Sequence, residues 1–362
     1  MKTISSKSTI VASFVAALLL IAPASAVGQE KGYGISDFHF ETRLGYEAVL
    51  PGMDFNDDAS GFRGSWLNMR LDGQICKGLT YSYRQRFNKL TERSFFDATD
   101  WIHLDWQAAD WFSLSAGKQV VAIGGYEYDR APIDLYYCSE FWNNIACYQI
   151  GVSGTFKASP GDNLLLQLCN SPMRGYIIDE SGRNCGNSKI ALNLMWYGSH
   201  GFYETMWSVN AFQNTRDSWM YYIALGNRFN ITDWLRLDLD LMDRLGKGSG
   251  FVGDFSIMSE LSAAPADGLR IHAKFTWDRN RKCDGDWLVA RGTNVRSISG
   301  GAEYSPVKKA REAVKLFAVA GYSYGDCPGV LGDRDLQIQA GVKFRLDILE
   351  GIKALIRHKS AE

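Results

Sequence analysis

Past the first few dozen residues, apolar and polar positions alternate one by one. Leu235, Leu237, Leu239 and Leu241 are separated by Arg236, Asp238 and Asp240. Leu269, Ile271, Ala273, Phe275 and Trp277 are separated by Arg270, His272, Lys274 and Thr276. Leu336, Ile338, Ala340, Val342, Phe344 and Leu346 follow the same rule. A period of two belongs to a strand with one apolar face, because successive side chains point to opposite sides. Strands of soluble sheets usually stop after about 5–6 residues. These runs reach about ten or more, the length of a tilted transmembrane strand.

The pattern predicts sixteen such strands, at 36–47, 62–72, 78–88, 99–107, 111–120, 147–157, 163–170 and 189–197, then 202–213, 218–229, 234–244, 253–261, 269–279, 295–304, 313–324 and 335–347. Gly and Ala blur the period at 295–304 and 313–324. The links fall into two classes. Those after odd-numbered segments are mostly long, as at 48–61, 121–146, 171–188 and 280–294, with 214–217 the short exception, whereas those after even-numbered segments are short, as at 73–77, 108–110 and 198–201. A barrel with long external loops and short periplasmic turns has this asymmetry. Trp106, Trp111, Tyr197, Phe202, Phe229 and Trp234 flank short links, where amphipathic rings would meet lipid headgroups. Within lipid every backbone N–H and C=O must be bonded inside the protein, so the sheet is expected to close. The expected fold class is an all-β transmembrane antiparallel barrel of about sixteen strands.

The first residues read differently. Lys2 and Lys7 precede the apolar run from Ile10 to Ala22, and Ala24-Ser25-Ala26 is a small-residue cleavage site. The expected organisation is a cleaved signal peptide at 1–26, a periplasmic segment at 27–35, the barrel at 36–347 and a periplasmic tail at 348–362. Leu349, Ile352, Leu355 and Ile356 have helical spacing, so the tail is either a short helix or frayed. Mean hydropathy of −0.18 is too polar for a bundle of membrane helices. The net charge of −1 lacks the basic surplus of a nucleic-acid-binding protein, so no nucleic-acid partner is expected.

A barrel of this size is too wide for side chains to fill, which leaves a water channel. The inward positions fit water, since they carry many charges of both signs that could not be buried dry. The basic pore-lining candidates are Arg43, Arg70, Arg84, Arg86, Arg236, Arg270 and Lys274. Glu41, Asp72 and Asp105 are the acidic positions placed to pair with the first of them.

The longest link holds Gly124-Gly125-Tyr126-Glu127-Tyr128-Asp129, then Pro132-Ile133-Asp134 and Phe141-Trp142, preceded by Gly117-Lys118-Gln119. Over about 111–143 these motifs resemble the phosphate-selective porins O and P, including relatives in Bacteroidetes-type envelopes. The resemblance implies an outer-membrane porin whose third external loop folds inward and narrows the pore, here through Tyr126, Glu127, Asp129, Arg130 and Asp134. The alternative is an ordinary surface loop. The resemblance also implies a homotrimer in outer-membrane lipid that passes small polar solutes or ions. Founding members line the pore with surplus Lys and Arg. This wall is nearly balanced and the loop is net acidic, so phosphate selectivity does not carry over. If Arg43, Arg70, Arg84 and Arg86 faced Glu127, Asp129 and Asp134, a transverse field would cross the constriction.

Competing classes are a barrel enzyme acting on lipid and a structural or adhesive protein. His103 with Asp105, and His39 with Glu41, share strand faces, but no motif identifies a nucleophilic serine. No metal spacing and no cofactor motif is present, and no repeat or second domain is visible. Seven cysteines cannot all pair within one chain. Cys169 and Cys185 flank the link 171–188, so a disulfide there is one expectation and two unpaired thiols the other.

Overall fold

The computed structural model describes residues 33–90, 93–173, 189–214, 219–246, 248–283, 286, 288–328 and 334–359. The expected signal peptide at 1–26 lies outside them. The first strands are β1 (Gly34–Pro51), β2 (Gly61–Cys76), β3 (Leu79–Arg86), β4 (Thr99–Ala109) and β5 (Phe112–Val120). Then come β6 (Tyr148–Ser159), β7 (Asp162–Asn170), β8 (Ile190–His200), β9 (Tyr203–Gln213), β10 (Trp219–Thr232) and β11 (Leu235–Leu245). The last are β12 (Asp254–Ala266), β13 (Leu269–Asn280), β14 (Asn294–Tyr304), β15 (Val314–Asp326) and β16 (Arg334–Asp347). All sixteen segments read from the alternation form strands, including the two blurred by Gly and Ala. Each pairs with its sequence neighbours, and β1 closes the barrel against β16. The closing register runs antiparallel from His39 opposite Asp347 to Pro51 opposite Asp335. No free edge is left, as the lipid core requires.

The first boundary differs from expectation. Residues 34–35 belong to β1, not to a segment before the barrel, because their backbone finds partners at Gln74 and Gly73 of β2. The tail forms a helix, Ile348–Lys359. Its Ile348 and Leu349 pack on an apolar cluster of Phe38, Met69, Leu71 and Tyr83, which gives that end of the helix a surface to bury.

The alternation separates two environments. Along β11, Asp238 and Asp240 are buried, while Leu241 on the opposite face is 38% exposed. Large apolar side chains such as Ile102, Leu104, Leu166, Leu192 and Ile298 are exposed on the outer wall, where lipid replaces water. Trp106, Trp111, Phe202 and Trp234 are exposed at the ends beside the short turns. Trp111 stacks on Phe156, with centroids 6.2 Å apart, and Tyr203 on Phe229 at 5.2 Å. These rings form the aromatic rim expected at one lipid interface.

Candidate pore and its folded loop

The link from Val121 to Cys147 is not a surface loop. It contains the short helices α1 (Tyr126–Asp129) and α2 (Glu140–Asn144), with a 3-10 turn at Pro132–Asp134 between them. Its polar groups are bonded to strands all round the barrel. The Ala122 N–H donates to Gln167 of β7 at 2.8 Å, and the Gly124 N–H to the Ser208 hydroxyl of β9 at 2.8 Å. Asp240 of β11 accepts the N–H groups of Tyr126 and Glu127, each at 2.8 Å. On the opposite wall Arg43 of β1 donates to the carbonyls of Leu135 at 2.7 Å and Ile133 at 3.2 Å. The chain therefore crosses the lumen.

Two glycines permit the close approach. A Cβ on Gly124 would lie 2.4 Å from the Met206 carbonyl, and one on Gly226 would lie 2.8 Å from the backbone of Gly125. The backbone of the loop thus lies directly on the backbone of β9 and β10. Gly125 also has φ +121°, a conformation that a side chain would strain.

Charge then ties the loop down. Glu127 pairs with Lys274 and accepts from the Ser139 hydroxyl at 2.5 Å. Arg130 reaches Glu260 at 2.6 Å and Asp238 at 3.2 Å. Asp134 bonds Lys343 at 2.6 Å, and Lys343 continues to Glu303 at 2.5 Å. Arg270 bridges Glu303 at 3.2 Å and Glu260 at 2.7 Å. One network thus runs from β11 to β16 and back into the loop. Asp129 alone of the loop's five candidates is exposed.

Arg70, Arg84 and Arg86 pair locally, and Arg43 donates to loop carbonyls, so none of the four forms an ion pair with a loop carboxylate. Arg70 bonds Asp72 at 2.7 Å. Arg84 lies 3.4 Å from Asp100 and 3.5 Å from Glu41, and Arg86 lies 2.9 Å from Asp100. Arg84 and Arg86 stack on Trp101 and Trp66 at 4.9 and 4.6 Å. The expected transverse arrangement is therefore not formed. Glu127 finds Lys274 of β13 instead, on the side where Asp240 holds the loop, and Asp134 finds Lys343, which lies opposite Arg43 in the β1–β16 register. Asp105, expected near these arginines, accepts from Ser115 and sits 3.1 Å from His103. His39 bonds Asp37 at 2.9 Å, not Glu41.

Alternation did not reveal what fills one side of the lumen. Phe141 and Tyr128 of the loop pack with Phe212, Met220, Tyr222 and Met242 of the wall, and with Leu288 and Val289 of the link after β13. The signal was present in Trp219–Leu225, which is apolar on both faces. Arg244 was also missed. It is fully buried and bonds Asp254 at 2.8 Å and Asp286 of the same link at 2.9 Å.

No group of His, Cys, Asp and Glu among the described residues is placed to hold a metal. The Ser115 hydroxyl donates to a carboxylate, not to an imidazole, so the pair is not arranged for nucleophilic attack. Cys169 is a buried free thiol with its sulfur 3.6 Å from Gln167 and Asn193. Cys185 lies outside the described residues.

The family described as phosphate-selective porin O and P matches residues 38–189. No curated protein matches the chain. Among solved structures it is similar to the anion-selective porin of Comamonas acidovorans, at 12% identity and TM-score 0.60, over 87% of this chain and 100% of that one. It is similar to the outer-membrane protein OmpT of Vibrio cholerae, at 11% identity and TM-score 0.59, over 85% of this chain and 96% of that one. A third is the outer-membrane channel DcaP of Acinetobacter baumannii, at 12% identity and TM-score 0.58, over 88% of this chain and 99% of that one. These likenesses concern the fold, and the family match concerns the sequence of the first half of the barrel. The two agree: the chain is an outer-membrane porin, a diffusion channel of the Gram-negative envelope related over residues 38–189 to the phosphate-selective porins O and P.

Proposed function

We propose that small hydrophilic solutes diffuse passively past the folded loop, and that Tyr126, Glu127, Asp129, Arg130 and Asp134 set the narrow section. The observation that carries this reading is the loop's attachment to both walls, at Asp240 and at Arg43. Selectivity is weak and tilts toward anions. By count the wall is balanced, but its charges are not equally wet. Side chains of Asp238, Glu260 and Glu303 are 6%, 9% and 7% exposed, against 20%, 35% and 27% for Arg228, Arg236 and Arg270. On β10 to β14 solutes thus meet guanidinium groups with carboxylates behind them, whereas Glu204 on β9 and Asp134 in the loop are 32% and 39% exposed. The test is planar-bilayer recording across a KCl gradient. A small anion-selective reversal potential that fades with salt is expected, and a cation-selective one would refute the assignment. The pore needs no catalytic step, and the reading makes the protein a channel only.

A homotrimer is part of the proposal. Its support is a hollow of about 450 Å³ on the outer wall, lined by Leu71, Tyr83, Ile102, Leu104 and Ala116, which an apolar ridge of another copy would fill. Cross-linking in native membranes tests it, with a monomer band alone counting against it.

A further inference from the structure

Between the folded loop and the outer ends of β14, β15, β16 and β1 lies a cavity of about 360 Å³. That is within the size range of small-molecule sites. Tyr137, Trp142 and Tyr324 line it with ring surface, beside Trp66, which lies under Arg86, and Tyr136, which is packed against His272 and Phe317. Amide and hydroxyl groups fill the intervals, from Asn143, Ser297, Ser323, Gln337 and Gln339. Its two charged residues, Arg43 and Glu140, are of opposite sign.

Two donors there are unspent. Arg43 is 8% exposed, and its guanidinium lies 4.8 Å over the Tyr136 ring. One of its terminal nitrogens serves the loop carbonyls, but Nε has no partner. The Trp66 indole N–H is likewise buried without an acceptor. A buried donor without an acceptor costs about 1–3 kcal/mol, so acceptor oxygens are wanted here.

Resting on the diffusion-channel reading, we infer that this pocket is a binding site for one or two pyranose units of a neutral oligosaccharide. The chemistry selects that class. Sugar C–H groups carry partial positive charge and meet the negative faces of aromatic rings. Hydroxyl oxygens both accept from Arg43 Nε and Trp66 Nε1 and donate to amide carbonyls. An inorganic anion meets Glu140 and gains nothing from the three open rings. An apolar ligand leaves both donors unpaired. The site sits at the mouth reached through the long links, so it concentrates the solute before the narrow section.

The test is single-channel recording of the full protein with maltotriose on the external side, beside a poly(ethylene glycol) of equal mass. A saturable fall in current, half-maximal at millimolar maltotriose and absent with the polymer, is expected. Tyr324→Ala and Trp142→Phe, each read as a fraction of its own open current, should raise the half-saturation about tenfold, the loss of one well-placed contact. A linear fall shared by the polymer, or an unchanged half-saturation in both variants, overturns the site. A protein that inserts yet passes no current refutes the channel reading instead. Tryptophan fluorescence then decides the pocket: saturable quenching by maltotriose supports it and a flat titration overturns it.

Discussion

Asp240 holds Tyr126 from across the lumen: its Oδ1 accepts the Tyr126 N–H at 2.8 Å, and its Oδ2 takes the next N–H, that of Glu127. The first N–H groups of a helix have no partner within the helix, and here the wall supplies one. Asp240→Ala leaves two buried donors unpaired, at about 1–3 kcal/mol each. The loop should then leave its seat, and open-channel current should become noisy with substates. A quiet trace with the wild-type current would show that the loop is held elsewhere.

Glu127 and Lys274 form an enclosed ion pair, each side chain 3% exposed. Breaking such a pair from one side costs about 3–5 kcal/mol, because the remaining charge stays buried. Lys274→Met should therefore destabilise the folded loop more than the double variant with Glu127→Gln. Protease sensitivity of 121–147 in the three variants checks the order, and additive effects would contradict coupling.

Gly226 offers no space for a side chain, since a Cβ would meet the Gly125 backbone at 2.8 Å. Gly226→Val should push the loop toward the opposite wall and lower conductance, at about 1–3 kcal/mol of overpacking. Wild-type conductance in a folded variant would mean that this contact yields freely.

Exposed arginines should govern ion preference more than buried ones. Arg70 and Arg236 have side chains 45% and 35% exposed, against 4% for Arg84. Charge reversal of Arg70 and Arg236 to Glu should move the reversal potential toward cations, most at low salt, where the Debye length grows from ~10 Å at 0.1 M to ~30 Å at 0.01 M. Arg84→Glu should chiefly reduce thermal stability, because Glu41 and Asp100 would face a third carboxylate. An equal shift from both sets of variants would contradict the burial argument.

Burial pushes the thiols of Cys138 and Cys147 up to about 12. Only the thiolate reacts, so a raised thiol pKa slows the reaction near neutral pH. Maleimide should label both slowly in the folded barrel at pH 8, and at once after unfolding. Rapid labelling of the native protein at pH 8 would refute the environment described.

The strand count and the two classes of link were legible in the sequence, because a sheet between water and lipid must alternate at every step. The inward parity of Arg43, Asp238 and Lys274 follows from the same local rule. Partner choice does not. Arg84 was read as paired with local carboxylates such as Glu41 or with the loop; it has Glu41 at 3.5 Å, but also Asp100 at 3.4 Å, the extra residue at a register shift between β3 and β4. The Gly124-Gly125 motif marked the loop, but only the placement of Gly226 opposite it explains why no side chain fits. Charge counts suggested a balanced wall, yet accessibility depends on which charge lies behind the other. Likewise, the doubly apolar run Trp219–Leu225 broke the alternation, and only the packed loop gives its inner face something to cover. Period-two patterning is fixed by the chain's own backbone, whereas these contacts join residues some hundred positions apart and exist only once the barrel has closed.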